Sequence, residues 1–65
     1  MKYVKVSDSA YDNGVRTLWI DKESGEGYRV RIDTAQIYWT GNYEAAEAFL
    51  DNLASRLNKW SELHE

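Results

Sequence analysis

Asn42-Tyr43-Glu44-Ala45-Ala46-Glu47-Ala48-Phe49-Leu50-Asp51-Asn52-Leu53-Ala54-Ser55-Arg56-Leu57-Asn58-Lys59-Trp60-Ser61-Glu62 is the one segment long and periodic enough to decide the fold. Ala46, Leu50, Leu53, Leu57 and Trp60 recur at steps of four, three, four and three, so an α-helix keeps them on one stripe, with Phe49 widening it. Asn42 suits the N-cap, because its side-chain oxygen accepts from the free amides of the first turn, and Gly41 allows a bend before it. Glu44 and Glu47 complement the positive end of the helix dipole, and Arg56 and Lys59 lie toward its negative end.

Upstream the period changes from helical to alternating. In Tyr28-Arg29-Val30-Arg31-Ile32-Asp33 the apolar set Tyr28, Val30 and Ile32 faces one way and the charged set the other, the pattern of a half-buried strand. Val15-Arg16-Thr17-Leu18-Trp19-Ile20-Asp21-Lys22 is a second strand; placing Leu18 and Ile20 inward exposes Thr17 and Trp19, whereas the opposite register buries Trp19. Lys2-Tyr3-Val4-Lys5-Val6-Ser7 is a third, with Val4 and Val6 expected inside and Tyr3 and Lys5 outside. Gln36-Ile37-Tyr38-Trp39-Thr40 forms a short fourth strand or an extended approach to the helix. Asp8–Gly14 is expected to be a loop ending in the turn dipeptide Asn13-Gly14, and residues 23–27 supply a second turn.

These elements assemble economically as a single α+β domain over residues 1–65. An antiparallel meander of three or four strands carries one C-terminal amphipathic helix on one face. Val4, Val6, Leu18, Ile20, Tyr28, Val30 and Ile32 would meet the helix stripe, leaving the other sheet face to Tyr3, Lys5, Thr17, Trp19, Arg29, Arg31 and Tyr38. At 65 residues the core must be used well, and three Trp, five Tyr and one Phe supply the area, since an aromatic buries roughly 150–250 Å². Both a monomer and a homodimer sharing core fit that size.

Composition narrows the function classes. Without cysteine there is no disulfide framework or thiolate metal site, and the only histidine, His64, complements the helix C-terminus. No His-paired nucleophile, convergent general-acid pair or metal-ligand spacing occurs, so a non-enzymatic binding protein without cofactor or metal is expected. The first residues are too short and charged for a signal peptide, and no run approaches the about 20 apolar residues of a membrane span, so a cytoplasmic location is expected.

The net charge of −3 is unevenly placed. Residues 1–40 hold six cations and six carboxylates, whereas residues 41–65 hold two cations and five carboxylates. Glu44, Glu47, Asp51 and Glu62 fall within about 60° of one another on the helix. No lysine or arginine stands four residues after any of them, where a helix tuned for stability offers one. Asp8 and Asp12 in the first loop and Glu23 and Glu26 in the second would extend this acidic surface if those loops lie on the helix side. A row of carboxylates on a rigid helix can engage the Lys and Arg of a nucleic-acid-binding protein as backbone phosphates do.

Two resemblances bear on function. Three strands followed by a helix opening Thr40-Gly41-Asn42-Tyr43-Glu44-Ala45-Ala46-Glu47-Ala48-Phe49-Leu50 resembles the AP2-like arm-binding domains of phage integrases. There a strand ending in an aromatic leads through a threonine-containing turn to an E-A-A-x-x-F/W-L-type helix. The likeness covers residues 28–57 and implies a DNA-binding accessory module using the sheet face of Tyr3, Lys5, Trp19, Arg29, Arg31 and Tyr38. The whole chain, short, acidic, cysteine-free and aromatic-rich, is similar in type to small phage-encoded inhibitors of host defence, including anti-CRISPR proteins that act as DNA mimics. That likeness implies stoichiometric binding to a nucleic-acid-binding effector complex through the acidic surface, in the host cytoplasm. A structural, dimeric interaction protein is the third class.

Overall fold

The computed structural model describes residues 1–22 and 25–64. Five strands, β1 (Val4–Ser7), β2 (Ala10–Asp12), β3 (Thr17–Lys22), β4 (Tyr28–Ile32) and β5 (Ala35–Thr40), precede one helix, α1 (Tyr43–His64). The strands form an antiparallel meander in chain order, and α1 packs against β3, β4 and β5. The strand absent from the sequence expectation is β2, inside the stretch expected to be a loop. Its three residues are too few to display an alternating pattern, yet they pair with β1 on one side and β3 on the other.

Local chemistry sets the turns. Asn13 Oδ1 accepts from the amides of Val15 (2.9 Å) and Arg16 (2.7 Å), so the expected Asn13-Gly14 turn does reverse the chain into β3. Asp33, at φ 54°, turns β4 into β5, a conformation that Asp tolerates better than most residues. Asn42 caps α1 as expected, its Oδ1 accepting from Glu44 N at 2.8 Å.

Leu18, Val30 and Leu50 are fully buried, with Tyr3, Ala46 and Ala54 completing the core. Ile20, Tyr28, Ile32, Phe49, Leu53 and Leu57 pack around it. The registers of β3 and β4 are the expected ones. The buried line of the helix, Ala46, Leu50 and Ala54, is centred about 40° from the expected stripe, toward Glu47 and Asp51. Small residues either side of Leu50 let the backbone approach the sheet, so alanines and not Trp60 mark the innermost line.

The helix crosses the sheet from Tyr43, edge-on to Tyr28 of β4 with ring centroids 5.3 Å apart, past Tyr11 of β2 at Asp51, to Asn58 beside Tyr3. Twenty-two helical residues span about 33 Å and a six-residue strand about 20 Å, so the last turns pass the end of the sheet. Trp60, expected in the core, is therefore 62% exposed and rests on the His64 ring at 4.2 Å. Among the described residues no helix is long and apolar enough to cross a membrane.

β1 lies in the register opposite to the expected one. Val4 and Val6 are exposed, whereas Tyr3 is buried and Lys5 turns to the helix side. The cause is a side chain acting as a strand: Asn58 Oδ1 accepts from Tyr3 N (2.7 Å) and Asn58 Nδ2 donates to Tyr3 O (3.0 Å). With Tyr3 fixed inward, alternation carries Lys5 in and both valines out.

Candidate functional site

Two charged surfaces emerge, one along the flank of α1 and one on the uncovered sheet face. On the helix flank the carboxylates are not equivalent. Asp51 accepts a hydrogen bond from the Tyr11 hydroxyl at 2.8 Å and lies 3.8 Å from Lys5 Nζ. It is thus tied to β2 and β1, and its cation comes from a strand, which helical spacing cannot reveal. The bond to Asp51 is the main cause that raises the Tyr11 pKa above its ordinary 10.0, with burial and the charges of Asp51 and Glu47 adding to it.

Glu44, Glu47 and Glu62 make no ion pair among the described residues. An open groove of about 480 Å³ beside this flank brings Lys2 and Lys59 into the same wall as Asp51 and Glu62. Along this flank, Glu44 and Glu47 are therefore the carboxylates with no cation in that wall. The expected loop carboxylates do not form one surface with them. Asp12 sits on the opposite face of the sheet, accepting from the Thr17 hydroxyl at 3.1 Å, while Asp8 and Glu26 are exposed in separate turns. Glu23 lies outside the described residues.

On the uncovered face, cross-strand pairing aligns Ala10, Trp19, Arg31 and Gln36 in one row and Asp21, Arg29 and Trp39 in the next. Asp21 Oδ2 accepts from both Arg29 (2.6 Å) and Arg31 (3.1 Å), and all three side chains are more than two-thirds buried. Arg31 also donates to Thr34 O at 2.6 Å and lies over the Trp19 ring at 5.3 Å. The Nε atoms of both arginines are buried and meet no acceptor among the described residues. A second pair, Arg16 with Asp33 at 3.4 Å, closes the end of the sheet.

Searches against protein-family models, curated proteins and solved structures found no match.

Of the residues expected on the uncovered face, Trp19, Arg29 and Arg31 are there, and Tyr3, Lys5 and Tyr38 are not. Burial is the main cause raising the Tyr3 phenol above its usual pKa; the charges of Asp33 and Asp12 add to it and that of Arg16 opposes it. Tyr38 turns to the helix because Ile37 is an extra residue in β5, between Gln36 opposite Arg31 and Tyr38 opposite Val30. Its ring stacks on Phe49 with centroids 4.1 Å apart and planes 2° from parallel. Trp39 takes the vacated outward position and covers Gly27, where any Cβ would stand 2.6 Å from the indole. Sequence reasoning missed Trp39, Tyr11 and Asn58. Only Gly27 beside a strand, two positions before Arg29, hinted at a close approach there.

Among the described residues no group of His, Asp and Glu side chains is placed to hold a metal ion. The guanidiniums that would meet phosphates are already occupied by Asp21 and by a backbone carbonyl.

Proposed function

We propose that the chain is a non-enzymatic, acidic protein-binding module of the anti-CRISPR-like, DNA-mimic type. It engages the basic surface of a nucleic-acid-binding effector through the Glu44–Glu47 end of α1 and blocks that effector's DNA recognition. The observation supporting this reading is the contrast in compensation between the two surfaces. Arg29 and Arg31 share the carboxylate of Asp21 and Arg16 pairs with Asp33, so each arginine has a carboxylate within the fold, whereas exposed Glu44 and half-buried Glu47 have no ion pair among the described residues. A free carboxylate pair on a rigid helix retains its field for a cationic partner, and a paired arginine must first lose Asp21 to bind a phosphate.

The test uses Glu44→Lys with Glu47→Lys, leaving Asp51 in place because it holds Tyr11 and Lys5. The wild type, immobilised in a bacterial lysate, is expected to retain a nucleic-acid-binding complex that duplex DNA displaces, and the double variant is expected to retain none of it. Equal retention by the variant refutes the acidic-surface reading. Salt-sensitive binding of the wild type to duplex DNA in fluorescence anisotropy, lost in Arg29→Ala with Arg31→Ala, would instead establish the sheet face as a DNA-binding surface.

A further inference from the structure

The turn between β2 and β3 brings together the parts of an acyl-transfer site. An asparagine carries an electrophile, the carboxamide carbon Cγ, within ring-closing reach of the next backbone nitrogen. Here that nitrogen, Gly14 N, donates to Asp12 Oδ2 at 3.3 Å, so a carboxylate faces the proton that must leave for the nitrogen to attack. On the electrophile's side, Asn13 Oδ1 accepts from the amides of both Val15 (2.9 Å) and Arg16 (2.7 Å). Two backbone N–H groups on one carbonyl oxygen draw electron density from Cγ and stand ready to hold the oxyanion that attack creates.

The surroundings fix this arrangement and leave it open. Thr17 donates its hydroxyl to Asp12 Oδ1 at 3.1 Å, which holds the carboxylate with Oδ2 toward Gly14, and Asn13 N donates to Arg16 O at 3.2 Å. Gly14 is exposed at φ 90°, a left-handed conformation that costs glycine little, and a Cβ there would meet no atom within 4 Å among the described residues. The other asparagines lack such a setting. Asn42 precedes a tyrosine, and Asn52 and Asn58 lie inside α1, where the next amide donates to a carbonyl four residues back.

We propose that Asn13 is a self-modification site, at which the folded chain converts its own asparagine to aspartate and isoaspartate. Asp12 takes the proton from Gly14 N, whose electron pair forms the bond to Asn13 Cγ while the carbonyl π pair moves onto Oδ1, held by the amides of Val15 and Arg16. As the carbonyl re-forms, the Cγ–Nδ2 bond breaks, Asp12 returns the proton to Nδ2, and ammonia leaves behind a cyclic succinimide. Water then opens the ring at Cγ, giving isoaspartate or aspartate according to which ring carbonyl it attacks: Cγ restores the aspartyl backbone's original path, and the main-chain carbonyl of Asn13 leaves the isoaspartyl link. The sum is asparagine plus water giving a carboxylic acid plus ammonia, with no oxidant, reductant or metal required. The new carboxylate stands beside Asp12 and takes the net charge from −3 to −4. Isoaspartate also inserts Cβ into the backbone of the turn, at the end of the strand that carries Tyr11 to Asp51. Neither Glu44 nor Glu47 takes part, so this inference stands apart from the acidic-surface reading.

Peptide mapping by mass spectrometry tests it on the intact protein held in warm neutral buffer, because trypsin releases residues 6–16 with Asn13 as their only asparagine. Asn13 is expected to convert about tenfold faster in the folded chain than in the same chain unfolded in guanidinium chloride, while Asn42, Asn52 and Asn58 stay amides. Asp12→Asn, which keeps an acceptor for the Thr17 hydroxyl, should bring the folded rate down to the unfolded one. Equal or slower conversion in the folded wild type overturns the proposal, and so does an undiminished rate in folded Asp12→Asn. Should that variant fail to fold by circular dichroism, the comparison of folded with unfolded wild type decides alone.

Discussion

Beneath α1, Leu18, Val30 and Leu50 are fully buried and no charge interrupts them. On the other side, alternate residues of the same strands set Asp21 between Arg29 and Arg31 and lay Arg31 against Trp19. The covered face gains stability from volume and burial, which salt leaves nearly untouched. The uncovered face gains it from a carboxylate shared by two guanidiniums, partly shielded by aromatic rings, which ions in solution weaken. A sheet with a single helix thus needs two different ways of holding its strands.

The contrast is broken most severely by Leu50→Ala. Removing a fully buried leucine costs about 2–5 kcal/mol, a large share of the roughly 5–15 kcal/mol that holds a typical domain together. Urea unfolding should show this loss equally at low and high salt, and a loss below about 1 kcal/mol would mean the covered face is not the main source of stability.

Asp21→Ala tests the other face, with an expected loss of about 1–3 kcal/mol because two largely buried guanidiniums lose their common acceptor. The difference from wild type should shrink as salt rises; a difference independent of salt would assign the effect to packing.

The smallest effect belongs to the boundary, where Tyr11 of β2 meets Asp51 of α1. Tyr11→Phe should cost about 0.5–1.5 kcal/mol at neutral pH. Because the folded-state pKa of Tyr11 is raised above 10.0, this contribution is complete below pH 10 and fades as pH climbs through the raised value. The variant should therefore lose less stability than wild type in strong alkali. Identical alkaline unfolding profiles, followed by tyrosinate absorbance, would show that the bond contributes nothing.

The covered face was the more legible in the sequence. Leu18, Val30 and Leu50 announce themselves through periods of two and 3.6, because burial repeats along a chain. What escaped depends on single residues that break a period or act at a distance. Ile37 adds one residue to β5 and so exchanges the sides of Tyr38 and Trp39. Asn58 stands 55 positions from Tyr3 and reverses the register of β1. Asp51 looked uncompensated because helical spacing searches only its own helix, and its lysine lies on β1. The resulting candidate surface keeps Glu44 and Glu47, sets Glu62 among lysines and separates the loop carboxylates, a distribution that only the path of the chain determines.

The Asn58 amide also bears on the order of assembly. The hairpins of β1–β5 close over a few residues each, whereas holding Tyr3 requires Asn58, 55 positions along the chain in a late turn of the helix. β1 can therefore pair with β2 before Tyr3 is seated, and in a pulse-labelled refolding experiment the Tyr3 amide should gain protection later than the amides of the hairpins.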